Sequence, residues 1–296
     1  MTNAAGFKMV MLMLDGFGWP PEGWKNSIYS KCCPAEFVRL FADNAYPIDA
    51  RLGVEGIPQS ATGQTALFCG ENAPALIGRH LHAFPGPRLK ELIRRKNIFQ
   101  AVKALGLKPV FANAYVRQPL LEVAQTRYSS VTTVMTAAAL GWSFVADDLR
   151  RGCGVFHDIT NSSCPEEAAI PAITPEDAAA NLLRLTADYD FVLFEYFLTD
   201  RAGHRCDFEQ VSQALEPVSR LVAALAAALP ANHQLLVTAD HGNCEDLSVG
   251  SHSMNPVPLL LCGNGTEHAA RIGNIAQVYD LALNRLETPL IGVNAL

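Results

Sequence analysis

The chain has 296 residues, 49% hydrophobic and 18% charged, with a formal net charge of −6. Such a composition fits a soluble globular protein with a sizeable core, in one large domain or two ordinary ones. The densest basic stretch, "RLKELIRRK" at Arg88 to Lys96, has helical spacing and reads as a solvated face, which excludes nucleic acid as a main partner.

In chain order, "MVMLML" follows one lysine and runs into Asp15 without a small-residue cleavage site. It reads as a first strand, Lys8 to Leu14, not as a signal peptide. The helix pattern "NIFQAVKALG" ends on Gly106, a natural C-terminal cap, and leads to a strand at Lys108 to Ala112. From about Tyr115 to Ile173 the chain is rich in Ser, Thr, Gly and Pro and has little regular core pattern; a small inserted cap over the sheet edge is expected there. "TPEDAAANLLRL" then opens a helix, with Thr174 as N-cap and Pro175 in the first turn.

A strand at Phe191 to Phe197 follows. Phe208, Val211, Leu215, Val218, Val222, Leu225 and Leu229 trace one face of a long helix in which Pro217 predicts a kink. Strands at Leu235 to Ala239 and Val257 to Leu261 complete the pattern. Alternating strands and helices predict an α/β fold, a single domain over 1–296 with a largely parallel sheet. No stretch is long enough to span a membrane. The eight cysteines form no Cys-x-x-Cys pair, so free thiols in a reducing cytoplasm are the expectation. The oligomeric state is left open.

The strand ends carry the chemistry. Asp15 closes the first strand, and Asp200 and His204 follow the strand at Phe191 to Phe197. Asp240 and His241 end the strand at Leu235, while His252 lies just before the last strand. Each alone has an ordinary structural reading: a turn pair, a helix start, a loop histidine. Four such placements at one sheet edge point to a metal centre. A mixed Asp/His set suits zinc, manganese or iron better than calcium or magnesium. Six ligands suffice for two ions, an arrangement that clamps both ends of a phosphoryl displacement. A nucleophile is sought in "IPQSATGQTALFCG", where a hydroxyl at a helix N-terminus would meet an anion. Ser60, Thr62 and Thr65 all qualify on these grounds, and any of them could instead be an N-cap.

With these residues in view, the chain resembles the alkaline phosphatase superfamily, and within it the metalloenzyme domain of the cofactor-independent phosphoglycerate mutases. "LDGFG", "DRAGH", "TADHGN" and "HSMNPVPLL" are similar to that family's motifs, and "NIAQVYDLAL" to its last helix. The resemblance implies a three-layer αβα fold of the alkaline-phosphatase type. It implies that Asp15, Asp240, His241 and the nucleophile hold one divalent cation, manganese or zinc, and that Asp200, His204 and His252 hold a second. It assigns Ser60 as nucleophile, ten residues before Gly70 in "SATGQTALFCG".

The implied activity is phosphoryl transfer on a small phosphorylated substrate through a phosphoserine, as a phosphatase or phosphomutase. Alternatives are a phosphoglycerate mutase with a reduced cap, a phosphodiester or phosphonate hydrolase, and a non-catalytic metal-binding protein. Two departures stand out: Gln64 replaces a histidine of the mutases, and the interval from Ser60 to Asp200 is too short for their large inserted domain with its substrate-gripping arginines. Glu195 and Asn243 are expected to orient the imidazoles, and Arg79, His80, Arg201 and Arg205 are candidates for reading the substrate.

Overall fold

A computed structural model describes residues 7–288. Six strands form one mixed sheet: β1 (Lys8–Leu14), β2 (Ala45–Ile48), β3 (Pro109–Phe111), β4 (Phe191–Tyr196), β5 (His233–Thr238) and β6 (Val257–Cys262), in the spatial order β2-β6-β5-β1-β4-β3. β3, β4, β1 and β5 run parallel to one another, whereas β6 runs antiparallel to β5, and β2 to β6. The central strands β4 and β5 are buried along their whole length because helices cover both faces, so they lack the polar alternation of a half-exposed strand.

Helices 35–44 and 175–185 each contact helix 208–227, and helices 60–69, 87–95, 98–104, 131–139 and 278–287 form a second connected set. These two sets form the outer layers. The expected start signal at Thr174 is a capping box: Thr174 Oγ1 accepts from the Asp177 N–H, and the Asp177 carboxylate accepts from the Thr174 N–H. The long helix, Phe208–Ala227, continues through Pro217. β2 was not foreseen. Four residues with Pro47 inside give no alternation to read, and a proline is tolerated there because β2 is an edge strand.

Residues 115–173 contribute helices Leu120–Gln125, Val131–Ala139 and Ala146–Arg150. The Val131–Ala139 helix packs against helices 87–95 and 98–104, with Val131, Val134 and Met135 in the core. Its place is inside one outer layer. None of the helices in the described residues is long and apolar enough to cross a membrane. All eight cysteines are free.

Register and direction position the site. Leu14 pairs with Tyr196 and Met13 with Thr238, so β1, β4 and β5 end level with one another. Asp15, Asp200 and Asp240 follow those ends and emerge on the same edge, the carboxyl edge at which open α/β sheets bind ligands. Because β6 runs the other way, the residues before it lie at this edge too. A Gly242–Ser253 bridge extends the antiparallel pairing past the strands and sets His252 beside His241.

Candidate metal centre

The Ser60–Cys69 helix is buried at all ten positions and ends at Gly70 in a left-handed cap, φ 64°. Gly63 lets it come close to the end of β5: a Cβ there would stand 2.6 Å from the Asp240 carbonyl oxygen. Ser60, the first helical residue, consequently sits 2.9 Å by its Oγ from His241 Nε2. Thr62 and Thr65 spend their hydroxyls on the backbone, donating to the carbonyls of Gln59 and Ala61. Of the three hydroxyls left open by residue type and spacing, only that of Ser60 contacts the ligand cluster.

Two tight groups of ligand atoms occur among the described residues. Asp15, Asp240 and His241 present atoms within 4.8 Å of one another, and so do Asp200, His241 and His252. His241 Nε2 is 3.2 Å from Asp15 Oδ1 and 3.6 Å from Asp240 Oδ2. His252 Nε2 is 3.3 Å from Asp200 Oδ1. The His241 and His252 rings stack at 3.7 Å. His204 adjoins the second group from its solvent side, with Nε2 3.4 Å from Asp200 Oδ2 and 3.1 Å from His252 Nε2. All six expected ligands thus stand in one cluster, with His241 shared between its halves.

The imidazoles are oriented by the main chain. Nδ1 of His252 meets the Pro58 carbonyl at 2.9 Å, that of His241 the Gly242 carbonyl at 3.3 Å, and that of His204 the Gly250 carbonyl at 3.3 Å. A carbonyl only accepts, so each Nδ1 carries the proton, and in the neutral ring Nε2 turns its lone pair to the cluster. Glu195 and Asn243, expected to serve the imidazoles, do something else. Asn243 donates to Asp200 Oδ1 at 2.6 Å, and Glu195 accepts from Thr132 Oγ1 at 2.5 Å. Gln64 donates to Asp15 Oδ2 at 2.9 Å.

The electrostatics favour a cation. Asp15 Oδ1 and Asp240 Oδ2 are buried with no hydrogen-bond donor, an arrangement that costs free energy unless something positive lies between them. Two like charges at such spacing repel by roughly 3 kcal/mol at an effective dielectric of about 20. Burial, with the mutual repulsion of the two aspartates, raises the Asp15 carboxyl well above its ordinary range, and burial raises that of Asp240. Burial alone would lower His241, but Asp240, Asp15 and Asp200 push it up to about 10. A carboxylate-rich pocket with outward lone pairs and too little positive charge fits divalent metal ions.

Sequence reasoning missed Glu245. Its carboxylate accepts from the N–H of Gly18 at 3.1 Å and of Asn243 at 2.7 Å, from Asn255 Nδ2 at 3.1 Å and from the Ser253 hydroxyl. It ties the loops after β1 and β5 to the loop before β6. Its place two residues past Asn243 in "ADHGNCED" was the available signal. Of the basic candidates, Arg201 lines a cavity of about 520 Å³ that opens beside Asp15, Ser60 and Asp200. Arg79 and Arg205 are exposed outside that lining, and His80 Nε2 meets the Val54 carbonyl at 3.3 Å. Arg117, not considered from sequence, is a second guanidinium in the lining.

The Metalloenzyme superfamily model matches residues 169–290. A 2,3-bisphosphoglycerate-independent phosphoglycerate mutase of Cereibacter sphaeroides is 35% identical over 126 residues, 40% of this chain and 24% of that enzyme. The match thus spans about a quarter of the length of that relative. The alkaline phosphatase of the Antarctic bacterium TAB5 aligns at TM-score 0.59 and 14% identity over 95% of this chain and 99% of its own. A cold-active alkaline phosphatase of a Shewanella species aligns at TM-score 0.61 and 14% identity over 94% and 99%. The chain has the alkaline-phosphatase fold. Within that fold the superfamily match takes in Asp200, His204, Asp240, His241 and His252. Asp15 and Ser60 precede it and reach the same edge through β1 and the Ser60–Cys69 helix.

Proposed function

We propose that this chain is a two-metal phosphoryl-transfer enzyme acting on a small phosphate monoester through a phosphoserine at Ser60. The observation that carries the reading is Ser60 Oγ at 2.9 Å from His241 Nε2, in a cluster whose buried Asp15 and Asp240 oxygens lack donors. Asp15, Asp240, His241 and Ser60 would hold one cation, and Asp200, His204 and His252 the other; manganese or zinc suits these donors. Bound there, the cations supply charge neutralisation for the phosphoryl oxygens and acidify the serine hydroxyl.

The chain's own residues do the rest. Ser60 presents Oγ at the N-terminus of a ten-residue helix, where free N–H groups and the helix dipole favour the phosphoryl anion. Ser60 gives up its hydroxyl proton to solvent, Oγ attacks phosphorus, the Ser60 O–P bond forms, and the bond to the alcohol oxygen breaks, the leaving alkoxide taking a proton from water. Asn243 and Gln64 hold the Asp200 and Asp15 carboxylates in place meanwhile. Water or a substrate hydroxyl then takes the phosphoryl group from Ser60, which makes the protein a phosphatase or a phosphomutase.

The partial match to phosphoglycerate mutases favours testing the second outcome directly. The metal-loaded protein is assayed for phosphate release from monoesters and for isomerisation of 3-phosphoglycerate, with acid-quenched samples searched by mass spectrometry for phosphate on the Ser60 peptide. A phosphorylated Ser60 that turns over supports the reading. Full activity in Ser60→Ala sinks it.

A further inference from the structure

The cavity beside Ser60 is far more apolar than metal-assisted chemistry on a phosphoryl group requires. At about 520 Å³ it falls in the range of pockets that take a drug-sized molecule. Besides Asp15, Ser60 and Asp200, its lining includes Phe84, Phe111, Val116, Phe156 and Phe197. Phe197 immediately precedes the Leu198–Gly203 helix that carries Asp200, so its place relative to the cluster is fixed. Its ring stacks on His157 at 5.1 Å and 28°, and Phe156 meets the same imidazole edge-on at 4.2 Å. Phe84, 41% exposed, lies edge-on to Tyr128 at 5.5 Å.

Charge in the lining is as specific. Arg117 and Arg201 both line the cavity, and neither has a carboxylate partner within ion-pair distance among the described residues. Among the described residues, Arg117 donates only to the Ser163 carbonyl, at 3.3 Å. Both guanidinium groups act on His157: burial lowers its pKa, and against the opposing Asp158 the two arginines lower it further. Burial and the two arginines thus disfavour a positive charge in the aromatic corner, and two unspent cations stand beside it. An aromatic corner gains from a ring and gains nothing from a small polyol, while guanidinium pairs suit a carboxylate or a second phosphate.

We infer that the pocket takes a phosphate monoester whose alcohol part is a ring-sized apolar body bearing one further anionic group. The body rests on Phe197, His157 and Phe156, and the anionic group pairs with Arg117 and Arg201. This rests on the phosphoryl-transfer reading above.

Non-hydrolysable phosphonates test it without interference from leaving-group reactivity. Binding of methylphosphonate, benzylphosphonate and 4-carboxybenzylphosphonate to the Mn²⁺-loaded full chain is measured by calorimetry, beside hydrolysis of benzyl phosphate and glycerol phosphate. Kd is expected to fall about tenfold from methyl to benzyl and about tenfold again with the carboxylate. Phe197→Ala should erase the first step; Phe197→Leu, which keeps an apolar side chain without the ring, should weaken it and serves if the alanine protein does not fold. The double variant Arg117→Ala/Arg201→Ala should erase only the second step. Equal Kd for methyl and benzyl overturns the inference. So does a carboxylate gain that survives loss of both arginines, or a double variant that loses methylphosphonate itself. Hydrolysis of either ester without these preferences overturns this inference alone. No hydrolysis and no phosphoserine overturns the reading on which it rests.

Discussion

Asp15, Asp240 and His241 stand just past the ends of buried central strands, whereas Arg117, Phe84 and His157 stand on loops that are exposed or half-buried. The first set is held by strand register and by carbonyls that fix each Nδ1; the second set is held by ring contacts and by one long hydrogen bond. Rigid elements fix chemistry to a fraction of an ångström, and loops on such a scaffold adapt to a substrate. The metal edge therefore sets what reaction is available, and the cavity wall sets what molecule is brought to it.

Perturbing the edge should cost most. Ser60→Ala is expected to lower kcat by three orders of magnitude or more, ~4 kcal/mol or above, with metal content by mass spectrometry changed little. A fall of less than tenfold would remove the serine from the mechanism. His241→Ala should reduce bound metal below two ions per chain, because His241 belongs to both ligand groups; an unchanged stoichiometry would contradict the shared cluster. Glu245→Gln should weaken metal affinity by about 10–100-fold, the usual effect of disturbing what holds the ligands. It should also lower stability by roughly 1–3 kcal/mol, because the N–H groups of Gly18 and Asn243 lose a charged acceptor. Unaltered affinity would leave Glu245 a purely structural residue.

An effect of similar size depends on pH. Burial raises Glu195 to about 7 against the opposing Thr132 hydrogen bond, with Asp240 adding to the rise. Its folded pKa lies above its unfolded value near 4.5. From there to about pH 7 the unfolded chain loses this proton while the folded chain keeps it, so the group's contribution to stability declines as pH rises. The stability difference between the parent and Glu195→Gln, read from denaturant melts, should move by on the order of 3 kcal/mol across that window in favour of the glutamine. A flat difference would mean that Glu195 is ionised throughout.

How far the sequence reveals each region follows the same division. β1, β3, β4, β5 and β6 are legible because strands buried on both faces leave largely apolar runs, and the six candidate ligands because they follow or precede those runs. β2 was hidden by its shortness and its proline. The roles of Asn243 and Glu195 were misread because adjacency to a ligand says nothing about which atom a side chain reaches. Arg117 and the aromatic corner went unseen since loop residues carry no periodicity, and their meeting depends on contacts between segments such as Phe156–His157 and Phe197. Ser60 was reached only through a family resemblance; chain pattern alone left three hydroxyls open.

Anomalous X-ray scattering from crystals grown with Mn²⁺ or Zn²⁺ tests the central claim most directly. Two peaks are predicted, one among Asp15, Ser60, Asp240 and His241, the other among Asp200, His204 and His252. A single peak, or density on another face of the sheet, would contradict the two-metal account.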